Sequence, residues 1–376
     1  MDNPNGSGMK IALMHDWLLV NAGSEKVVKE LLTLFEHEDV TVHTLFFKLS
    51  PQDRLSILGK RAVKTSWLQH LPYIERYFKW LLPVLPLFAN QLRPGKADLY
   101  FTSSHAVAKG FIGLKGIPHV CYCHTPMRYA WYQHEDYANE LNWFKRGMLR
   151  FVIRFIREWD LKTVQRVNHF IANSEHIRTQ IQQIYKRDAR VIYPPVQVEK
   201  FSLNTQPRND FYLAVGRLVS YKKMDIVVQA FLQMPQHKLV LIGDGMEVNE
   251  IQRLIAGHSN IVYLGYQHDD ELILYMQHAK ACIFAAKEDF GITCVEAQST
   301  GTPVLAFNYG GYKETVIEGK TGYFFDEQNV DSIKAVVAKF EESPLTDFSS
   351  IRQNALRFSA TRFRNEIKDY LTEIQV

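Results

Sequence analysis

The chain has 376 residues, and its hydrophobic share of 46% and charged share of 22% are those of globular proteins. This composition excludes disordered and collagen-like chains, and the length exceeds what one hydrophobic core usually serves, so two domains are expected. The four cysteines lie in apolar runs and are too few for a disulfide framework. Cys121 and Cys123 lack a second pair at zinc spacing, so we predict no metal site.

The net charge of +4 hides an uneven distribution along the chain. Residues 1–195 carry 26 Lys and Arg against 17 Asp and Glu, whereas the remainder carries 18 against 23. The first half is therefore +9 and the second −5. This asymmetry indicates that the two halves meet different partners, the basic half an anionic surface or an anionic substrate.

The N-terminal stretch MDNPNGSG has no basic region followed by an apolar run, so we predict no secretory signal there. Whether this stretch is native or a cloning remnant stays open, and we expect folding to begin near Met9. The apolar stretch from Trp80 to Leu92 is too short to span a bilayer and contains two prolines, so no transmembrane helix is predicted.

Short apolar runs rich in Val, Ile, Phe and Tyr alternate with amphipathic stretches through both halves of the chain, and we predict that they are buried strands. The predicted strands are KIALM from Lys10, VTVHTLFF from Val40, DLYFTS from Asp98, PHVCYC from Pro118, NHFIA from Asn168, ARVIY from Ala189, FYLAVG from Phe211, KLVLIGDG from Lys238, IVYLG from Ile261, ACIFAA from Ala281 and PVLAF from Pro303. Such alternation predicts an α/β protein with two Rossmann-like domains, each a doubly wound parallel sheet.

A polar, proline-containing stretch, PPVQVEKFSLNTQPRND, suits a linker and places the domain boundary near residue 200. We therefore predict an N-terminal domain over 9–200 and a C-terminal domain over 201–350. The remaining segment, 351–376, has helical periodicity and could close on either domain, including by crossing back to the first. Its predicted apolar stripe comprises Ile351, Leu356, Phe363, Ile367 and Leu371.

Ligands of parallel sheets bind beyond the carboxyl ends of the strands, where the second half carries EDFGITCVEA. Glu288 follows a predicted strand, Phe290 and Gly291 make the turn, and Glu296 lies on the next helix. A carboxylate there can accept hydrogen bonds from sugar hydroxyls, while the helix N-terminus offers NH groups to a phosphate. The alternative is that Glu288 and Asp289 merely favour the helix dipole.

The segment GRLVSYKK follows the first strand of the second half, where a pyrophosphate would sit. Arg217 can clamp two phosphate oxygens and Lys222 adds a point charge, whereas Lys223 is interpreted as a solvated neighbour. The alternative is a solvated basic loop.

In the first half, HDWL places Asp16 after the opening strand, and a small-residue turn with Gly23 leads into a helix. Such a turn lets a backbone approach a phosphate. HTPMRYAWY adds His124 after another strand. The candidates for the acceptor side of the site are Asp16 and, on the loop after His124, Arg128, Tyr129 and Trp131.

These motifs together resemble the retaining glycosyltransferases of family 4, which have the two-domain GT-B fold, and most of all bacterial mannosyltransferases of polysaccharide and O-antigen assembly. The resemblance runs from Lys10 to about Phe358 and is strongest in the E-x7-E motif of Glu288 and Glu296. Supporting segments are GRLVSYK, LIGDG, HTPMRYAW, SSHAVAKG, VIYPPV and FNYGGYKETV.

The resemblance implies a site in the cleft between the two domains, with Arg217 and Lys222 on the donor diphosphate. Glu296 would hold the ribose, Glu288 the sugar hydroxyls, and His124 would lie beside the reacting carbon. The implied donor-binding residues are Gly23, Gly243, Gly265, Tyr266, Gln267, Phe290, Gly291, Ile292 and Glu296, with Ala22 and Ser24 departing from the commoner pairing of two glycines at the Gly23 turn.

The resemblance favours GDP-mannose as the donor, with UDP-sugars behind it, and a saccharide or polyprenyl-linked acceptor. No other cofactor and no metal is implied, because the two cations can stabilise the leaving diphosphate. Two alternatives stay open: a sugar-nucleotide 2-epimerase of the same fold, and a non-catalytic sugar-nucleotide sensor.

Two basic stretches of the first half, 60–90 and 143–162, mix Lys and Arg with aromatic residues. That mixture is typical of a peripheral contact with an anionic membrane, so we expect a cytoplasmic protein at the inner face of the cytoplasmic membrane. An ordinary domain helix is the alternative for 143–162. No nucleic-acid recognition motif accompanies these charges. The aromatic residues assigned to this contact in the first stretch are Trp67, Tyr73, Tyr77, Phe78, Trp80 and Phe88.

Overall fold

A computed structural model describes residues 8–20, 22–132 and 143–376. The chain divides into two compact units. The N-terminal unit comprises the described part of Met1–Tyr193 together with Phe363–Val376, and the C-terminal unit comprises Pro194–Arg362. The change of unit at Tyr193 lies a few residues before the predicted boundary at 200.

Seven parallel strands form the sheet of the N-terminal unit, in the order β3-β2-β1-β4-β5-β6-β7. The strands are β1 (Lys10–His15), β2 (Asp39–Thr44), β3 (Val63–Thr65), β4 (Leu99–Ser104), β5 (His119–Cys123), β6 (His169–Ala172) and β7 (Arg190–Val191). The helices that precede residue 193 are α1 (Gly23–Leu34), α2 (Pro51–Leu58), α3 (Ile74–Tyr77), α4 (Leu85–Ala89), α5 (Arg128–Trp131), α6 (Trp143–Val164) and α7 (Glu175–Tyr185).

Alternate residues of β1 face two different apolar cores, as expected for a parallel sheet covered on both sides. Leu13 packs with α1 and with Phe363 near the chain end, whereas Met14 packs with α3, α4 and α6. Ser174 is the N-cap residue of α7, because its hydroxyl accepts a hydrogen bond from the NH of Ile177 at 3.2 Å.

The C-terminal unit contains a six-stranded parallel sheet in the order β10-β9-β8-β11-β12-β13. Its strands are β8 (Tyr212–Val215), β9 (Leu239–Ile242), β10 (Ile261–Tyr263), β11 (Ala281–Phe284), β12 (Val304–Phe307) and β13 (Gly322–Phe325). Its helices are α8 (Met224–Leu232), α9 (Val248–Ile255), α10 (Asp269–His278), α11 (Ile292–Ser299), α12 (Tyr312–Thr315), α13 (Val330–Glu342) and α14 (Phe348–Leu356). The prediction of two doubly wound parallel-sheet domains is confirmed, although β3 and β13 were absent from the predicted strands.

The chain end forms two helices rather than one, which corrects the predicted apolar stripe of 351–376. Ile351 on α14 is buried in the C-terminal unit, and Leu356 at the end of α14 is 36% exposed. The last helix, α15 (Ala360–Glu373), places Phe363, Ile367 and Leu371 in the core of the N-terminal unit. The stripe is therefore divided between the two units.

The two basic stretches contribute buried side chains to one apolar core of the N-terminal unit, which includes Ile74 and Ile156. Phe78 is also buried in it, at 7% exposed, which corrects its assignment to an exposed aromatic set. Trp80 and Phe151 are 85% and 75% exposed. The side chains of Lys79, Lys145 and Arg146 lie outside the described residues. In the described part of the chain, no helix is long and apolar enough to cross a membrane.

Candidate active site

The strand orders identify where ligands should bind in each unit. In the N-terminal sheet the order reverses between β1 and β4, and in the C-terminal sheet it reverses between β8 and β11. The crevice beyond the carboxyl ends of such strands is the usual ligand site of an open α/β sheet. Asp16 follows β1, Arg217 follows β8 and Glu288 follows β11, so these three candidate residues lie at the reversals.

In the C-terminal unit, Arg217 and Lys222 follow β8, and Glu288 follows β11. The ammonium group of Lys222 forms an ion pair with Oε1 of Glu288, and the Lys222 and Glu288 side chains are 23% and 15% exposed. The Arg217 guanidinium donates a hydrogen bond to the hydroxyl of Tyr221 and lies 5.8 Å from that ring. Two cations and a carboxylate thus lie at the carboxyl ends of the neighbouring strands β8 and β11.

The turns that follow β8 and β9 approach each other at two glycines, Gly216 and Gly243. Gly243 has φ 147°, and a Cβ at this position would overlap the carbonyl oxygen of Gly216. The NH of Gly243 donates to the carbonyl of Gly265 at 2.9 Å. The turns after three neighbouring strands are therefore joined through backbone contacts, and the approach at Gly243 requires a residue without a Cβ.

Gly291 is the N-cap residue of helix α11, and its φ of 88° suits glycine. A Cβ on Gly291 would lie 2.5 Å from the Tyr312 ring, so the close packing of this turn also requires glycine. No side chain caps the helix at Gly291, and Ile292 is its first residue. Phe290 is 3% exposed and Glu296 is 5% exposed. Phe290 is therefore a packing residue of the turn, while Glu296 is a largely enclosed carboxylate.

Three of the donor-binding residues implied by the resemblance, Gly265, Tyr266 and Gln267, follow β10. Gly265 has φ 71°, and Tyr266 is 66% exposed. The Gln267 amide donates a hydrogen bond to the carbonyl of Leu264 at 2.8 Å, which folds the side chain onto its own turn. The Gln267 side chain is therefore engaged within its own turn, and a contact of this backbone with a nucleotide base stays a prediction.

In the N-terminal unit, three histidines gather at the carboxyl ends of β1, β4 and β5. The ring centroids of His15, His105 and His124 lie 5.7 to 6.4 Å apart. Burial lowers the pKa of each ring below its ordinary value, and the neighbouring histidines and Arg128 lower the pKa of His124 further. All three rings are therefore neutral near pH 7.

Asp16 was predicted to face the acceptor, and the structure assigns it another task. It is fully buried, and its carboxylate accepts hydrogen bonds from the backbone NH groups of residues 105–108 at 2.6 to 3.0 Å. Burial by itself would raise the pKa of Asp16, but the interactions with His105 and His15 and these NH groups lower it overall. Asp16 therefore holds the loop that follows β4 and is enclosed from any ligand.

Tyr129 and Trp131, which follow β5 and were predicted to face the acceptor, make hydrogen bonds within the N-terminal unit. The Trp131 indole NH donates to the carboxylate of Asp160 on α6 at 2.9 Å, and the Tyr129 hydroxyl donates to the sulfur of Met127 at 3.2 Å. Trp131 therefore joins α5 to α6. Arg128 lowers the pKa of both His105 and His124, which places its charge beside the histidine group.

Gly23 is the first residue of α1, and its N-cap residue, Ala22, makes no side-chain capping hydrogen bond. Glu25 in its first turn is 3% exposed, accepts a hydrogen bond from the Ser24 hydroxyl at 2.8 Å, and opposes the lowering of the His15 pKa. The sequence prediction had not included Glu25, Ser103 or His105 among the site residues. The segment SSHAVAKG, which begins with the last two residues of β4, was the available signal for Ser103 and His105.

No group of His, Cys, Asp and Glu in the described ranges is arranged to hold a metal ion. The positive charges near a candidate diphosphate position are those of Arg217 and Lys222.

Two family models match the chain, one over each half. Residues 22–200 match the model described as Glycosyltransferase Family 4, and residues 195–358 match the model described as Glycosyl transferases group 1. Together the two models reach across both units.

Curated relatives match over shorter lengths. An uncharacterised glycosyltransferase of Methanocaldococcus jannaschii is 30% identical over 167 residues, which cover 44% of this chain and 47% of the relative. The GDP-mannose-dependent alpha-(1-6)-phosphatidylinositol monomannoside mannosyltransferase of Mycolicibacterium smegmatis is 30% identical over 165 residues, covering 39% and 41%. The chain thus matches about half the length or less of these relatives.

A solved structure matches nearly the whole chain. The Anabaena protein HepE in complex with UDP and glucose has a TM-score of 0.70 and 19% sequence identity, covering 97% of this chain and 99% of that one. The two sheets, the two family matches and this neighbour define the class: the chain has the GT-B fold of group 1 and family 4 glycosyltransferases.

Proposed function

We propose that the protein is a retaining glycosyltransferase that moves a hexose from a nucleoside diphosphate sugar to an acceptor hydroxyl. The observation that carries this proposal is the meeting of Arg217, Lys222 and Glu288 at the carboxyl ends of β8 and β11. Cations there suit a diphosphate, and a carboxylate beside them suits sugar hydroxyls. The matches to glycosyltransferase family models support the same reaction class.

In the proposed reaction, the acceptor oxygen forms a bond to the anomeric carbon while the bond from that carbon to the diphosphate oxygen breaks. The proton of the acceptor hydroxyl passes to the departing phosphate oxygen on the same face, so configuration is retained. Negative charge grows on the diphosphate in the transition state. Arg217 and Lys222 would stabilise that charge, which makes a metal unnecessary.

GDP-mannose is the proposed donor, because one relative with 30% identity is named as GDP-mannose-dependent. A UDP-sugar is the second candidate, since a structural neighbour is in complex with UDP and glucose. A thermal-shift and hydrolysis screen over GDP, UDP, ADP and their sugars decides between them, because a ligand of the native state raises its stability.

The test of the diphosphate assignment is to change Arg217 and Lys222 separately to Ala. Each variant should keep its fold and lose transfer about a hundredfold, since removing one transition-state contact to a developing charge costs roughly 3 kcal/mol. Lys223→Gln, in the same loop, is the matched control and should retain activity. Near-normal turnover in both alanine variants would refute the assignment. An epimerised sugar nucleotide formed from donor alone would instead identify a 2-epimerase.

We further propose that the N-terminal unit contacts an anionic membrane at the cytoplasmic face and receives a lipid-linked acceptor there. Trp80 and Phe151 are large aromatic side chains left 85% and 75% exposed. Arg154 lies next to Phe151 along α6, and its side chain is 81% exposed. Exposed aromatic and cationic side chains suit the interface between headgroups and acyl chains.

The membrane proposal is tested with liposomes that contain anionic lipid. Changing Arg150 and Arg154 to Gln should weaken binding by about 2 kcal/mol, because each basic residue near such a surface contributes roughly 1 kcal/mol. Trp80→Ser should weaken it further. The matched control is Arg253→Gln with Leu274→Ser, both exposed in the C-terminal unit. Equal liposome binding by all variants would leave α6 an ordinary domain helix.

A further inference from the structure

Three polar side chains lie on one side of the N-terminal sheet, at the carboxyl ends of β1, β4 and β5. His15 on β1 is the register partner of Ser103 on β4, and Ser103 is the partner of Tyr122 on β5. Side chains two residues apart on a strand share a face, so His124, just after β5, follows Tyr122 on this side. Nδ1 of His15 lies 3.1 Å from the Ser103 hydroxyl, which lies 2.8 Å from Nε2 of His124.

The proton of His15 can be assigned from its neighbours. Nδ1 of His15 lies 2.9 Å from the carbonyl oxygen of Ser103, and a carbonyl oxygen can only accept a hydrogen bond. Nε2 of the same ring is buried and has no hydrogen-bond partner among the described residues. A proton on Nε2 would therefore be buried unpaired, whereas a proton on Nδ1 is bonded. The neutral His15 ring carries its proton on Nδ1.

The proton of the Ser103 hydroxyl follows from that assignment. Since Nδ1 of His15 is a donor, the hydroxyl cannot donate to it. The other ring nitrogen within hydrogen-bond distance is Nε2 of His124. If His124 donated instead, the hydroxyl proton would lack an acceptor at a fully buried position, which is unfavourable. Ser103 therefore donates to His124.

We propose that Ser103, oriented by His15, is a positioning residue that holds His124 in the tautomer with its proton on Nδ1. Burial lowers the pKa of His124 well below its ordinary value, which agrees with a neutral ring. No hydrogen bond joins Nδ1 of His124 to another residue of the described ranges, and the His124 side chain is only half-buried, so this NH would be free to donate to a ligand. In this arrangement His124 acts toward a substrate as a neutral hydrogen-bond donor and not as a base. Its catalytic meaning rests on the proposed function.

The tautomer can be measured directly on the intact protein. Proton-coupled nitrogen NMR of the ¹⁵N-histidine-labelled chain distinguishes a protonated from an unprotonated ring nitrogen, and the His124→Gln variant assigns the His124 signals by their loss. We expect a protonated Nδ1 and an unprotonated Nε2 in the wild type at neutral pH. A protonated Nε2, in either the other tautomer or the cation, would overturn the proposal.

Substitutions then test whether Ser103 is responsible. Ser103→Ala should shift His124 toward the Nε2-protonated tautomer and lower kcat for transfer about tenfold with a smaller change in the donor KM, as for the loss of one hydrogen bond. Ser103→Thr keeps the hydroxyl and should restore both. Ser104→Ala removes the neighbouring buried hydroxyl from the opposite face of β4 and should change neither the His124 tautomer nor kcat.

Two outcomes separate this inference from the proposed function. If Ser103→Ala leaves both the His124 nitrogen signals and kcat as in the wild type, Ser103 does not position His124 and the inference fails. If the wild type transfers no sugar from any sugar nucleotide, the proposed function fails, while the wild-type nitrogen spectrum still decides the tautomer.

Discussion

Removal of the Lys109 ammonium group should strongly destabilise the N-terminal unit. Lys109 is 1% exposed, and its Nζ lies 2.5 Å from Oδ1 of Asp160, which is fully buried on α6. Oδ2 of Asp160 accepts hydrogen bonds from Trp131 at 2.9 Å and Tyr185 at 2.8 Å. In Lys109→Met, the carboxylate keeps these two donors but loses its countercharge.

A buried charge left without its partner typically costs about 3–5 kcal/mol. In a unit of this size, that loss lowers the unfolding temperature by roughly 10 °C. Burial alone would lower the Lys109 pKa, but Asp160 raises it above its ordinary value. A raised lysine pKa contributes stability that is complete below the unfolded pKa of about 10.4 and is lost as pH rises through the folded pKa. The difference between wild type and variant should therefore be constant between about pH 6 and 9.

The measurement is urea and thermal unfolding of the intact chain, with the two units followed as separate transitions where they separate. Lys109→Met with Asp160→Asn removes both charges but keeps the acceptor for Trp131 and Tyr185, so it should recover most of the loss. Arg154→Ala is the control, because the Arg154–Glu158 pair is exposed and contributes about 0.3–0.5 kcal/mol. If Lys109→Met costs no more than this control, the buried pair does not stabilise the unit as argued.

Three further outcomes are expected. Gly243→Ala should destabilise the C-terminal unit by at least 1–3 kcal/mol, because its Cβ would overlap the Gly216 carbonyl. Gly257 has φ 81° but open space around it, so Gly257→Ala should lower the free energy of unfolding by less. Urea unfolding of both variants measures the difference. Asp16→Asn should cost about 1–3 kcal/mol near neutral pH; because the folded Asp16 pKa is lowered, that difference should shrink in acid unfolding only below about pH 4. Transfer should persist in a chelator assay, and restoration of lost activity by magnesium or manganese would contradict metal-independent diphosphate stabilisation.

Much of the C-terminal site was predictable because it is local in sequence. Arg217 and Lys222 both lie within seven residues after the end of β8, and Glu288 and Gly291 share a single turn. Strand periodicity places such turns at the carboxyl edge of a parallel sheet without knowledge of the packing. What the sequence did not predict was that Lys222 and Glu288 would form an ion pair with each other.

The N-terminal site was less predictable because its contacts join residues far apart in the chain. Asp16 follows the first strand, as a ligand-binding carboxylate would, yet four backbone NH groups from residues 105–108 enclose it. Trp131 was predicted to lie on the side of the sugar acceptor, whereas in the structure its indole NH donates a hydrogen bond to Asp160. The sequence gives the residue types, but it does not give the hydrogen-bond partners that distant segments bring to them in the folded unit.

By itself, the amino-acid sequence determined the alternation of strands and helices, the division into two doubly wound units, and the strand ends where chemistry should be sought. These features follow from hydrophobic periodicity and local turn chemistry, which act over a few residues. Only the tertiary structure decided which polar groups became enclosed, since burial and hydrogen-bond saturation depend on partners from distant segments. For that reason, Asp16 emerged as a structural clamp and Ser103 as the neighbour that orients His124.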